Sequence, residues 1–155
     1  MSSRPLPPVV RGGLGVALAG WLTVLAIVLL APSADGPIRL VDAVSRTAAG
    51  IGVPAALVVP ERVEFLLNVA AFVPATLLGR LVWMQTSWRD WTAAGFVASF
   101  VVELVQALAF DGRSATHADV VANTLGGLVG AALGALTLVC LHRGPSERGA
   151  DLPHR

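Results

Sequence analysis

Four apolar stretches, each long enough to cross a lipid bilayer, constrain the fold of this chain more than any other feature of its sequence. The hydrocarbon core of a bilayer is about 30 Å thick, and a helix needs about 20 residues to cross it. The stretches are residues 14–31, 65–84, 91–110 and 120–141. Because lipid offers no partner for exposed backbone N–H and C=O groups, each stretch must form a helix. The predicted fold is all-α: a polytopic membrane protein built on a bundle of four transmembrane helices.

The composition agrees with a membrane protein of one domain. Apolar residues make up 55% of the 155-residue chain and charged residues only 14%, which is too few charges for a soluble domain of this size. We predict a short N-terminal arm at residues 1–13, a transmembrane domain at residues 14–142 and a polar C-terminal tail at residues 143–155.

The first apolar stretch has an alternative interpretation as a cleaved signal peptide. Arg4 and Arg11 precede it, and Ala34 offers a small residue close to where cleavage would occur. However, its apolar run of 18 residues is longer than the roughly 7–15 of a typical signal sequence, and Pro32 crowds the cleavage position. We therefore predict that the stretch is retained as the first transmembrane helix.

The arginines indicate how the helices are oriented. If the N-terminus is cytoplasmic, seven arginines fall on the inside and four on the outside. The outer four are Arg39, Arg46, Arg62 and Arg113. Basic residues favour the cytoplasmic side of a membrane, so both termini are predicted to be cytoplasmic.

The connection between the first two spans is long and has two interpretations. Apolar residues recur there at helical spacing, which is typical of a helix lying on the outer membrane surface. They are Leu40, Val44, Ala48 and Ile51. The alternative is a loosely ordered loop, because several glycines and prolines follow. The sequence leaves a possible interfacial helix and a loop equally open.

Polar residues occur inside three of the spans. Burying a polar side chain in the hydrocarbon core costs free energy, so such residues are expected to have a structural or functional role. Asn68 lies in the second span, beside the helix-kinking Pro74. Ser99, Glu103 and Gln106 share one stripe of the third span. In the fourth span, polar residues and glycines are predicted to form a single face. They are Asp119, Asn123, Gly127, Gly130 and Gly134.

The depths of these polar residues predict a binding site. Counting ~1.5 Å per residue from the outer ends, Asn68, Gln106 and Asn123 lie roughly 5–6 Å inside and Glu103 about 10 Å. Because these residues lie at similar depths, we predict a shallow polar pocket that opens to the outer leaflet. Its predicted ligand-binding residues are Asn68, Glu103, Gln106, Arg113, Asp119 and Asn123.

Three of these residues also have a simpler structural explanation. Asp119 is expected to cap the start of the fourth span, where a carboxylate meets free backbone N–H groups and the positive end of the helix dipole. Asn123 and Gln106 are equally well explained by hydrogen bonds between helices. His117, in a loop, is more often solvated than catalytic. The glycines Gly126, Gly127, Gly130 and Gly134 are predicted to pack helix against helix.

The ordered set of motif residues resembles the VanZ-like family of small bacterial membrane proteins. The residues that carry the resemblance are Asn68, Pro74, Glu103, Gln106, Arg113, Asp119, Asn123, Gly126, Gly127 and Gly130. The pattern extends over residues 61–141, just over half the chain. The resemblance implies a multi-pass protein of the bacterial plasma membrane, and the namesake of the family is associated with low-level resistance to the glycopeptide teicoplanin.

The chain departs from the family pattern at a few positions. Family members often have a glycine two residues after the proline of the second span, where this chain has Thr76, or Ala75 under a one-residue shift. They also have further acids before Asp119, where this chain has Thr116 and Ala118. The missing loop carboxylates weaken any proposal of metal binding, so neither a metal nor a cofactor is expected.

The preferred function is binding of an outer-leaflet lipid, a lipid-linked cell-wall precursor or an amphiphilic glycopeptide, because an arginine beside a partly desolvated polar cavity suits phosphate or carboxylate. Two alternatives remain. One is a membrane-embedded enzyme that acts on a lipid-linked substrate, with Glu103 as the acid or base and His117 or Asp119 assisting. The other is a proton-coupled transporter that uses Glu103. No nucleic-acid partner is expected, and a homo-oligomer remains open.

Overall fold

The computed structural model describes residues 6–31, 33–109 and 117–142, which contain five α-helices and no strand. The helices are α1 (Pro8–Leu29), α2 (Asp35–Gly50), α3 (Pro60–Val82), α4 (Trp88–Ala109) and α5 (His117–His142), with a 3₁₀ turn at Ala55–Leu57. All except α2 are long and apolar enough to cross a membrane. The predicted all-α, multi-pass membrane fold is therefore confirmed.

The helices begin before the apolar stretches do. Pro8 is the first residue of α1, so residues 8–13, expected in the N-terminal arm, are helical. Pro60 likewise opens α3. Proline is favoured at this position because its fixed φ suits a helix and its missing N–H would have no partner there. Hydropathy marks only the apolar part of a helix, not its polar ends. The rest of the arm, residues 1–5, and the tail, residues 143–155, lie outside the described part of the chain.

Successive spanning helices run in opposite directions, so α1 and α4 end where α3 and α5 begin. We call this the α2 end of the bundle, because α2 and the 3₁₀ turn connect α1 to α3 there. Helix α5 lies between α3 and α4 and packs on both, whereas α1 packs mainly on α3.

Glycines allow α5 to approach α3 closely. Gly126, Gly130 and Gly134 of α5 face the carbonyl oxygens of Val69, Val73 and Leu77 of α3. Each pair lies one helical turn beyond the last in the same direction along both helices, so α3 and α5 are parallel. A Cβ atom at Gly126 or Gly130 would collide with the facing carbonyl. Small residues at such contacts are typical of helices that associate in membranes.

A different glycine brings α5 against α4. A Cβ atom added at Gly95 of α4 would lie 3.5 Å from the Cα atom of Gly127. One turn closer to the α2 end, Ser99 of α4 contacts Asn123 of α5. Between these two contacts the residue number increases along α4, from 95 to 99, but decreases along α5, from 127 to 123. The two helices are therefore antiparallel. The single glycine face expected on α5 is therefore two faces, with Gly127 turned to α4 and the others to α3.

Helix α1 is attached to α3 beside a proline. Pro74 has no N–H to donate to the carbonyl of Ala70, which weakens the helix at that turn. The neighbouring carbonyl of Ala71 accepts a hydrogen bond of 2.9 Å from Nε1 of Trp21. Leu18 and Leu25 of α1 are buried on either side of Trp21 along the helix.

The connection between α1 and α3 contains the helix that the sequence left open. Helix α2 ends in a Schellman motif: Gly52, with φ 88°, donates its N–H to the carbonyl of Ala49, and Val53 donates to the carbonyl of Ala48. Val41 is the buried residue of α2, whereas Leu40 and Ile51, expected on the apolar face, are exposed. Val44 and Ala48, also expected on that face, are part-buried, so the packed face keeps the middle of the expected stripe and adds Val41.

Candidate functional site

The polar residue of α3 is hydrogen-bonded to the acid of α5. Nδ2 of Asn68 donates to Oδ1 of Asp119 at 2.7 Å, in a partly buried position. Helix α5 begins at His117, two residues before Asp119, whereas a capping residue would precede the first helical residue. Asp119 therefore lies in the first turn of α5, where the positive end of the helix dipole still stabilises its charge.

The most deeply buried polar contact joins α4 and α5. Nδ2 of Asn123 donates to Oγ of Ser99 at 2.9 Å. The side chain of Ser99 is 0% exposed and that of Asn123 only 2%. The carbonyl oxygen of Asn123, Oδ1, is buried as well and accepts no hydrogen bond from the described residues. Within the described part of the chain, this acceptor therefore remains unused, next to the amide nitrogen of Asn123 and the hydroxyl of Ser99, which bond to each other.

Glu103 lies at the same level as Asp119. It follows Ser99 by one turn of α4, and Asp119 precedes Asn123 by one turn of α5. Because α4 and α5 are antiparallel, these turns are adjacent. Glu103 is only 8% exposed, so its carboxyl group is held within the bundle near the α2 end. We refer to Asn68, Ser99, Glu103, Asp119 and Asn123 together as the polar layer.

Gln106 is bonded to a different helix from the rest. Its Nε2 donates to the backbone carbonyl of Leu29 at 2.6 Å. Leu29 is the last residue of α1, where carbonyl groups have no donor from their own helix. Gln106 therefore attaches the end of α1 to α4, which is the interhelical role considered as its simpler alternative.

The electrostatic surroundings of the polar layer are acidic. Glu64 lies one turn from Asn68 on α3, and the charges of Asp119 and Glu61 both act on it. His117 is exposed at the start of α5. Arg113, the cation expected beside the pocket, lies outside the described residues. Within the described part of the chain, the layer presents mainly oxygen acceptors.

The polar layer lines neither of the two cavities described in the structure. The two cavities described, of about 790 and 550 Å³, are formed by α2 with α3 and by the start of α1 with Val82. Among the described residues, no three His, Cys, Asp or Glu side chains are placed to hold a metal ion. The structure thus brings Asn68 to Asp119 and Asn123 to Ser99, and it bonds Gln106 of α4 to the end of α1.

Some residues of this region were not anticipated. Ser99 was recognised on the stripe of α4 but not as a partner of Asn123, and Glu64 was not considered. Gly95, which allows α4 to approach α5, also went unnoticed. A single glycine in an apolar helix carries little signal. Gly95 lies eight residues before Glu103, on the same side of α4. This spacing is the one feature of the sequence that indicates a role for Gly95 in helix packing.

Comparison with known proteins supports one family. The family model described as VanZ/LLP1 matches residues 18–138, well over half of the chain. The matched region extends from α1 through α2 to α5, so it includes more of the chain than the motif residues do. No curated protein and no solved structure matches the chain.

Proposed function

The chain belongs to the VanZ/LLP1 family, and on that premise we propose that its polar layer binds the headgroup of an amphiphile in the outer leaflet, either a membrane lipid or a lipid-linked cell-wall precursor. The observation that carries this proposal is the unused acceptor of Asn123, buried between helices that also contribute Asn68, Glu103 and Asp119.

The energetics of burial support a binding role. A polar atom in hydrocarbon costs several kcal/mol unless it is hydrogen-bonded. Oδ1 of Asn123 therefore favours any molecule that brings a donor to it. The nearest titratable groups of the layer, Glu103 and Asp119, also act as acceptors when ionised. Hence the matching headgroup is rich in donors, such as ammonium, amide N–H or hydroxyl groups.

The orientation of the protein would place the layer at the outer surface. With seven arginines on one side of the membrane and four on the other, the termini are cytoplasmic and the α2 end faces outward. The protein would then lie in the bacterial plasma membrane with the layer near the external leaflet. Ligands that approach from outside, including amphiphilic glycopeptides, would meet this end first.

The resemblance to the VanZ-like family supports a link to teicoplanin-type resistance. The namesake of that family is associated with such resistance. A protein that binds a lipid-linked cell-wall precursor, or the antibiotic itself, would alter how much antibiotic reaches its target. Resistance in this protein is therefore proposed as a consequence of headgroup binding.

The test compares Asn123→Leu with Thr124→Val, purified as full-length proteins in a mild detergent. Leucine has the same branching and number of side-chain heavy atoms as asparagine, but it removes the buried acceptor together with the Nδ2 donor. Thr124 is the neighbouring residue, and its hydroxyl bonds to the carbonyl of Val120 in its own helix. Native mass spectrometry should show a bound lipid or precursor in the wild type and in Thr124→Val but not in Asn123→Leu.

A resistance assay completes the test. Cells that express each variant at matched levels are challenged with teicoplanin, and Asn123→Leu should be as sensitive as cells without the protein. If Asn123→Leu retains the same bound molecules as the wild type, the polar layer is not the binding site. If the bound molecule is lost but resistance persists, headgroup binding stands and the link to resistance is wrong.

A further inference from the structure

A second candidate site, independent of the polar layer, lies between α2 and α3. This cavity has a volume of about 790 Å³, which is within the range of roughly 300–1,000 Å³ that is typical of ligand sites. Val44 and Ala48 of α2 form one wall, and Leu66 and Ala70 of α3 form the other. Apart from Glu61 and Arg62, all the residues that line it are apolar. We call it the α2 groove.

The wall of the groove is held in place by backbone contacts. The Schellman motif at Gly52 brings Val53 back against Ala48, and both residues line the groove. Nη1 of Arg62 donates to the carbonyl of Ala56, which attaches the 3₁₀ turn to the start of α3. The groove is thus built by the fold of the connection, not by chance gaps between side chains.

The groove extends along a membrane-spanning helix. Its α3 wall runs from Glu61 to Ala70, a rise of about 13 Å at ~1.5 Å per residue. Leu66, midway along, is 61% exposed. Because α3 is long and apolar enough to span a membrane, the apolar side of this groove faces lipid tails. An extended hydrocarbon chain matches both its shape and its lining.

The polar end of the groove carries one charge of each sign. Glu61 and Arg62 are adjacent at the start of α3, and both are exposed. Only one of the five donors of the Arg62 guanidinium is used by the described residues, in its bond to Ala56. A carboxylate beside a guanidinium complements a headgroup that carries an ammonium and a phosphate.

We propose that the α2 groove binds one acyl chain of a zwitterionic phospholipid, with the phosphate at Arg62 and the ammonium at Glu61. The chain then lies against Leu66 and Ala70, parallel to α3. This site does not rest on the function proposed for the polar layer, since Asn68 is bonded to α5 on another side of α3.

Photo-cross-linking of the full-length protein tests the proposal. The probe is a phosphatidylethanolamine with a diazirine in one acyl chain, and cross-linked peptides are mapped by mass spectrometry. Cross-links should concentrate on the α2 and α3 residues that line the groove. They should be lost in Ala48→Trp and in Leu57→Trp, which fill it, and retained in Val97→Trp, a matched change on a 57% exposed residue of α4 outside the groove. Asn123→Leu should leave them unchanged.

A second set of measurements tests the assignment of the lipid headgroup to Arg62 and Glu61. Arg62→Gln should weaken cross-linking by about tenfold, the effect of losing one charge-assisted hydrogen bond. Anionic phosphatidylglycerol with the same diazirine chain should compete poorly, because Glu61 repels it. Circular dichroism shows whether each variant keeps its helices.

Three results would overturn the proposal. One is cross-linking spread evenly over α4 and the groove, which indicates ordinary annular lipid. Another is groove cross-linking that survives both tryptophan variants. The third is a dimer, measured by light scattering, that Ala48→Trp dissociates, since a second copy of the chain would then occupy the groove. Equal cross-linking by the two lipids would overturn the assignment to Glu61 and Arg62.

Discussion

Asn123 of α5 and Ser99 of α4 form a hydrogen bond of 2.9 Å at the most deeply buried polar contact described in the bundle. Because α4 carries Gly95 one turn away, against Gly127, the two helices approach closely enough for these short side chains to meet. The bond uses the amide nitrogen of Asn123 and leaves its oxygen as an acceptor. A contact that sets how α4 and α5 are aligned therefore also presents the group that we propose for ligand binding.

Ser99→Ala should destabilise the protein by about 1 kcal/mol, the scale of an interhelical hydrogen bond in a membrane. The change leaves Nδ2 of Asn123 buried without this partner. Denaturation in mixed detergent micelles measures the effect. Thr137→Val is the matched control, since its exposed hydroxyl bonds only to the carbonyl of Leu133 in its own helix. A double-mutant cycle with Asn123→Leu should show coupling, and additive losses would mean that the bond contributes nothing.

Gly130→Ala should destabilise the bundle by about 1–3 kcal/mol, because the new methyl group would collide with the carbonyl of Val73 and the hydroxyl of Thr76. Gly20→Ala is the control, since a Cβ atom there meets nothing within 4 Å. Alanine favours a helix over glycine by up to about 1 kcal/mol, so Gly20→Ala should be neutral or stabilising. Equal melting temperatures for the two variants would contradict the close approach of α3 and α5.

Trp21→Phe should loosen α1 from α3. Phenylalanine keeps most of the apolar contact but removes the N–H that bonds to the carbonyl of Ala71. We expect a loss of about 1 kcal/mol and faster hydrogen exchange of the α3 amides around Pro74. Trp88→Phe, an exposed tryptophan beneath the Arg89 guanidinium, provides the comparison because a phenyl ring keeps that cation–π contact. Unchanged exchange in Trp21→Phe would show that this bond does not hold α1.

Glu103→Gln should weaken binding of an amine-bearing headgroup by about tenfold while leaving the fold intact. Glutamine keeps the shape of the buried side chain but removes its charge, and a charge-assisted hydrogen bond is worth about 1.5–3 kcal/mol. Titration of the purified protein with lipids that differ only in the headgroup amine measures the effect. Asp42→Asn, a change at an exposed acid of α2 that lies outside both the polar layer and the α2 groove, should leave this binding unchanged. A Glu103→Gln protein that binds as tightly as the wild type would remove Glu103 from the site.

The positions of the helices were largely predictable, whereas their rotations were not. Apolar runs marked all four helices that are long and apolar enough to span a membrane. In the connection between the first two, the helical spacing of apolar residues predicted a helix, whereas the glycines and prolines that follow favoured a loop. Yet the same stretch left helix and loop open, because α2 is stabilised by packing on α3, and no local pattern reports a contact between distant segments. Asp119 was expected to cap α5, but the helix starts two residues earlier because hydropathy does not register its polar first turn.

The sequence by itself determined that this chain crosses a membrane as helices, since in lipid each segment must satisfy its backbone groups internally and apolar length alone reports that. Only the tertiary structure decided which polar residues meet. Asn68 bonds to Asp119, Asn123 to Ser99 and Gln106 to Leu29 because of how far each helix is rotated and shifted against its neighbours. Those rotations depend on glycine contacts such as Gly95 with Gly127, which act between segments distant in sequence. The glycines of α5 recur at helical spacing, but that spacing does not show which neighbouring helix each of them meets.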